Sequence, residues 1–239
     1  MIINPYRFGG AASSLLTNLV SWWSLDETSG TRYDSHGSND LTDNATVTYA
    51  AGKQGNAAEF VNANAEYLDR ATTAALKGPA AGDFTIALWV YLGTAADLRG
   101  IIDYGYGASA GQYNYRLRRR GASGVGYLSW LVPNSGSEVK ADTTDPVFLT
   151  ESSWYFVIAD YDSTADLIGI SLNNGTRDTA SVTTPNDVGS SPTFRIGAEK
   201  FAGRSWDGLI DEVAYWSRLL TTDEKTSLYN SGSGIAYPG

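Results

Sequence analysis

The chain has 239 residues, 42% of them hydrophobic, with 17 basic against 26 acidic side chains and a formal charge of -9, enough apolar material for one sizeable core in a single domain. That charge argues against tracking nucleic-acid phosphates, which requires neutralising many of them. The absence of cysteine excludes disulfides, thiolate metal sites and a cysteine nucleophile, and no stretch approaches the roughly 18 apolar residues of a membrane span.

Residues 1–18 read as an extended arm, because Pro5, Gly9, Gly10 and the Ala/Ser run to Ser14 argue against a regular strand or helix. Tyr6, Arg7 and Phe8 are its candidate anchors, on its own domain or on another subunit, so a homo-oligomer stays open. Residues 19–239 carry strand signals throughout, apolar and polar positions alternating between Gly, Asn, Asp and Ser clusters, which predicts an antiparallel two-sheet sandwich. In FTIALWVYL, Phe84, Ile86, Leu88, Val90 and Leu92 share one face, and Thr85, Ala87, Trp89 and Tyr91 share the other. Trp154, Phe156, Ile158 and Asp160 alternate in the same way with Tyr155, Val157, Ala159 and Tyr161. Asn173, Asn174 and Gly175 suit positive φ and predict a tight hairpin. Near the end, Thr221 and Glu224 match a capping box, predicting a short helix anchored by Leu228 and Tyr229 and ended by Gly232.

The most distinctive composition lies in DYGYGASAGQYNYRLRRRG, Asp103 to Gly121, rich in the Tyr, Gly, Ser, Asn and Arg of many binding surfaces. Alternation puts Tyr113, Tyr115, Leu117 and Arg119 on one face and Asn114, Arg116, Arg118 and Arg120 on the other. The second face is a positive stripe suited to an acidic neighbour or an anionic glycan, or alternatively a solvated edge strand guarded by charge. Tyr104, Tyr106, Tyr113, Tyr115, Arg116, Arg118, Arg120 and Trp130 are therefore the candidate binding residues. Most of the seven tryptophans fit core positions in alternating strands, while Trp130 and Trp206, near turn sequence, are the two to test for stacking on sugar. His36, the only histidine, sits in the polar turn DSHGSND and reads as exposed.

Five stretches in this order, LVSWWSLDETSGTRYDSHG, GKQGNAAEF, GDFTIALWVYL, SWYFVIADYDSTADLIGISLNNG and FRIGAEKFAGRSWDGLIDEVAYW, resemble laminin G-like domains of the concanavalin A-like type. The resemblance implies an all-β jelly roll with a short C-terminal helix, and it spans nearly everything from Leu19 to Tyr229. It also implies that Asp26, Asp34 and Asp211 occupy positions where such domains often carry a structural Ca2+, the alternative being carboxylates that cap turns. Related glucanases place two carboxylates on alternate positions of one strand, about 5 to 5.5 Å apart. Asp26–Glu27 and Asp211–Glu212 are adjacent instead and are expected to split between faces, so no catalytic residue and no enzyme activity is expected. A free-standing domain with such an arm and no export signal at its start resembles a structural protein of a tailed bacteriophage. The expectation is a virion protein made in the host cytoplasm, of capsid-decoration or fibre type, with a shell protein as partner and a host surface glycan as a further ligand. The alternative is a free-standing carbohydrate-binding module, and a glycoside hydrolase relative comes third.

Overall fold

The computed structural model describes residues 14–71, 73–94, 96–121, 126–144, 150–189, 192–201 and 203–239. The described strands are, in chain order, β1 (Leu19–Trp23), β2 (Thr42–Asn44), β3 (Thr48–Ala51), β4 (Asn56–Phe60), β5 (Tyr67–Ala71), β6 (Phe84–Leu92), β7 (Arg99–Gly105) and β8 (Tyr113–Arg120). They continue as β9 (Tyr127–Leu131), β10 (Lys140–Asp142), β11 (Trp154–Asp162), β12 (Leu167–Leu172), β13 (Asp178–Ser181), β14 (Thr193–Ile196) and β15 (Gly208–Trp216), followed by the C-terminal α-helix, α1 (Thr222–Tyr229). One sheet runs β13-β12-β11-β6-β15-β4-β3, with β1 also paired to β15, and the other runs β10-β9-β8-β7-β14-β5-β2. Every named pairing is antiparallel, so the expected all-β sandwich of jelly-roll type is what the chain forms.

Period-two alternation explains the layering. Phe84, Ile86, Leu88, Val90 and Leu92 of β6 enter the main core between the sheets, with Tyr155, Val157, Ala159 and Tyr161 of β11 beside them. The opposite faces of the same strands supply Ala87, Trp89, Phe156 and Ile158 to a second apolar layer, closed by Leu15, Trp22, Trp216, Leu220 and Leu228. Helix α1 covers this second layer. Thr221 and Glu224 form the expected capping box, and Tyr229 stacks 5.9 Å from Trp89. The helix stops at Tyr229, three residues before Gly232, because Asn230 takes the left-handed conformation at its C-terminus. Asn173 and Asn174, with φ of 49° and 59°, form the predicted tight turn between β12 and β13.

The end of the arm packs on its own domain. Leu15 is buried, the Trp216 indole N–H donates to the Leu15 carbonyl at 2.7 Å, and the Arg218 guanidinium donates to the carbonyls of Thr17 at 2.7 Å and Ser14 at 2.9 Å. The same guanidinium binds both oxygens of Glu224 at 2.7 Å, fastening arm and helix together. Burial alone would raise Glu224, but Arg218, the Thr221 N–H and Ser14 outweigh it and hold this carboxyl at about 2. Tyr6, Arg7 and Phe8 lie outside the described residues.

Candidate functional site

The Arg-rich strand was the leading binding candidate, and its position in the sheet changes that reading. β8 is an interior strand between β7 and β9, so it is not a charge-guarded edge. Tyr104, Tyr113, Tyr115, Arg116 and Trp130 are at most 1% exposed and Arg118 is 5% exposed, so these six cannot present a surface to a ligand. Of the eight expected residues, Tyr106 is exposed and Arg120 is half-buried. A register shift at Asn114 pairs Tyr104 with Tyr115 but Gly105 with Tyr113, which moves Tyr113 off the Tyr115 face. Tyr115 joins the core, while the Arg116 guanidinium lies 4.1 Å over the Tyr113 ring.

The acidic neighbours of the Arg stripe come from the same chain. Arg116 pairs with Asp103 at 2.8 Å and with Glu199 at 3.4 Å, and Arg118 pairs with Glu138 at 3.2 Å and Glu199 at 3.6 Å. Arg120 reaches Glu138 at 3.7 Å, and Arg204 reaches Glu199 at 2.9 Å. Burial works against the Arg116 charge, but Asp103 and Glu199 more than offset it and push its pKa up. Arg116, Asp103 and Glu199 are buried at the centre of this ionic layer, and Glu138, Arg120 and Arg204 form its more exposed rim.

The other acidic segment is also internal. A register shift in β15 after Asp211, with Glu212 at φ 48°, interrupts the alternation that would have separated the two carboxylates. Asp211 accepts the backbone N–H groups of Lys53 at 2.6 Å and Gln54 at 3.0 Å, while Glu212 accepts the Trp22 indole N–H. Burial raises Asp211 to about 7, opposed by its backbone hydrogen bonds and assisted by the Asp26 charge. Burial likewise raises Glu212 to about 8, opposed by Trp22 and assisted by Asp211 and Asp26. Glu212 lines a cavity of about 10 Å³ beside Trp22, Trp89 and Phe156, the size of one water. Both carboxylates are buried, Asp211 at 0% and Glu212 at 4% exposure.

Of the three carboxylates expected at calcium, Asp26 and Asp211 both bind the turn from Lys53 to Asn56, near enough for the Asp26 charge to act on Asp211, whereas Asp34 is engaged elsewhere. Asp34 accepts the N–H groups of Trp22, His36, Gly37 and Asn39 at 2.9 to 3.0 Å, which uses its oxygens in shaping a turn. Asp26 accepts the Asn56 N–H at 2.7 Å. Among the described residues no group of three or more His, Asp and Glu side chains is placed to hold a metal ion. His36 is exposed, as its turn sequence implies, with Nδ1 3.0 Å from the Tyr237 hydroxyl.

An open groove lies on the outer face of the eight-stranded sheet, beyond the part covered by α1. Its volume is about 460 Å³, and Tyr91, Trp154, Leu209, Glu59, Asp207 and Thr94 are among its lining residues. The pairing register fixes the arrangement: Trp154 lies opposite Tyr91, Tyr91 opposite Leu209, Leu209 opposite Glu59, and Glu59 opposite Thr48. The rings of Tyr91 and Trp154 meet at 5.5 Å, tilted by 57°. Trp206 and Trp130, expected as sugar platforms, are both fully buried. Trp206 supports the groove from below, its N–H lying 3.2 Å from the Tyr91 carbonyl and 3.3 Å from that of Leu209. Gly208 allows β15 to pass so close, because a Cβ there would stand 2.2 Å from the Tyr91 carbonyl oxygen. The sequence reading missed Tyr91, Trp154 and Glu59 as a site; the alternation in β6 and β11 was legible, but the register that aligns them across strands was not.

Domain 4 of AbnA, a GH43 extracellular arabinanase from Geobacillus stearothermophilus solved with arabinotriose, is similar at a TM-score of 0.62 and 17% identity, over 91% of this chain and 98% of that one. The binding domain of Paraclostridial Mosquitocidal Protein 1 is similar at 0.68 and 16% identity, over 91% of this chain and 53% of that one. The binding domain of Botulinum Neurotoxin DC, solved with SialylT, is similar at 0.66 and 14% identity, over 91% and 52%. This chain thus spans about half the length of the two toxin binding domains, and at such identities the likeness is one of fold. No curated protein matches the sequence. The model of the Laminin_G_3 family matches residues 62–224, more than half of the chain, and the protein belongs to this family of the concanavalin A-like lectin/glucanases superfamily.

Proposed function

We propose that this protein is a non-catalytic, lectin-like carbohydrate-binding domain. The observation that carries the reading is the open groove in which two aromatic rings and two carboxylates line one hollow. Apolar walls with a few convergent polar groups suit a small ligand that needs both contact area and orientation. A sugar ring offers a C–H face to aromatic side chains and hydroxyl donors to carboxylates, whose charge strengthens the hydrogen bonds. The similar structures support the reading, since one was solved with arabinotriose and another with SialylT. The test is a glycan array probed with the whole protein, followed by calorimetry on any hit and an assay for new reducing ends. Saturable binding without product supports the proposal; product release contradicts its non-catalytic part, and an array without binding contradicts the whole.

Attachment to a larger particle such as a phage shell is a separate role, compatible with sugar binding. Its test is removal of residues 1–13, which leaves Ser14 and the Arg218 contacts in place. Loss of particle binding by a folded truncated protein supports attachment through the arm, and retention contradicts it.

A further inference from the structure

We infer that the outer face of the eight-stranded sheet binds an extended, uncharged oligosaccharide along the transverse row Trp154, Tyr91, Leu209, Glu59 and Thr48. The inference rests on the carbohydrate-binding reading and adds the place, the direction and the class of ligand. The row crosses five adjacent strands, β11, β6, β15, β4 and β3, at one level of the sheet. With strands about 4.8 Å apart it spans roughly 19 Å, which suits several linked rings better than one.

The chemistry changes along this row. At the β11 end the half-buried Trp154 and Tyr91 supply ring faces, and Leu209, 8% exposed, forms an apolar floor. At the β4 end Glu59 holds the Thr48 hydroxyl at 3.0 Å, and Asp207 accepts the Asn62 N–H at 3.3 Å, leaving both carboxylates with further capacity to accept sugar hydroxyls. Glu59 and Asp207 are the charged residues among those lining the groove, and the whole chain carries -9. A sialylated or sulfated glycan would meet repulsion here, whereas a neutral one would find acceptors.

A second hollow of about 250 Å³, bounded by Tyr67, Arg195, Glu199 and Phe201, is a weaker candidate. Its Arg195 already lies 3.9 Å over the Tyr67 ring, and its Glu199 is tied into the ionic layer.

The experiment is calorimetry of the full chain against arabinotriose, xylotetraose, cellotetraose, laminaritetraose and mannotetraose, with 3′-sialyllactose as the anionic probe. Binding of a neutral chain in preference to 3′-sialyllactose is expected, and the disaccharide of the best-binding sugar, titrated alongside, should bind more weakly than its tetrasaccharide. Trp154→Ala should then weaken binding about tenfold or more, as loss of a central aromatic anchor does. Because Trp154 also packs on Tyr91, Thr94→Arg on the exposed rim serves as a variant that obstructs the groove without opening the core, and it should abolish binding. Phe201→Ala in the second hollow should leave affinity unchanged. Wild-type binding that survives both Trp154→Ala and Thr94→Arg overturns the site while leaving the carbohydrate-binding reading intact. Preference for 3′-sialyllactose overturns the ligand class. No binding to the panel or to a wider array overturns the reading and the inference together.

Discussion

The two outer faces of the sandwich use aromatic and charged residues to opposite ends. On the seven-stranded sheet, Arg116, Arg118, Asp103 and Glu199 are buried and paired with one another, so the stripe richest in binding-type residues is spent on internal cohesion. On the eight-stranded sheet, α1 and the C-terminal tail cover one part, while the row from Trp154 to Glu59 stays open. Composition drew attention to the first face, and accessibility draws it to the second. Charges that neutralise each other within a chain are unavailable to a partner, whereas half-buried aromatics beside unsaturated carboxylates remain so.

The largest expected effect breaks the ionic face. Arg116→Ala leaves Asp103 buried without its cation and should cost about 3 to 5 kcal/mol in urea unfolding, while the protein that remains folded keeps its sugar affinity. Next comes the pH dependence of the buried pair under the second layer. Asp211 and Glu212 have folded values raised to about 7 and about 8, so the stability they contribute is full below about pH 4 and is lost as pH rises through 7 to 8. The unfolding free energy should fall as pH rises through that window, and Glu212→Gln should flatten the fall. A rise in stability with pH there would contradict the assignment. Arg218→Ala removes the clamp on Ser14, Thr17 and Glu224 and should cost about 2 kcal/mol, with residues 14–18 gaining hydrogen exchange. Tyr106→Ala, on the exposed end of the Tyr/Arg segment, should change stability by less than about 0.5 kcal/mol and sugar affinity not at all, which sharpens the contrast with Trp154→Ala.

The sandwich was legible in the sequence because its signals are local. The alternation in Phe84–Leu92 and Trp154–Tyr161, the Asn173–Asn174 turn and the Thr221/Glu224 capping box each depend on residues within a few positions of one another. The groove was not legible, because Trp154, Tyr91, Leu209 and Glu59 are distant in sequence and meet only through strand register. The Arg stripe misled for a related reason. Its partners Glu138 and Glu199 lie far along the chain, so a run of unpaired charge on paper is a closed network in the fold. Two local irregularities, at Asn114 and Glu212, shifted side chains that strict alternation had assigned.

The central claim is that sugar meets the open face and leaves the ionic face untouched. A crystal structure of the full chain with its best-binding neutral oligosaccharide tests this most directly. The account predicts a ring stacked on Trp154 or Tyr91, hydroxyls donated to Glu59 or Asp207, and the chain running across β6, β15 and β4. A sugar seated instead on the sheet of β7, β8 and β14, with the pairs of Arg116 and Arg118 opened to receive it, would contradict it.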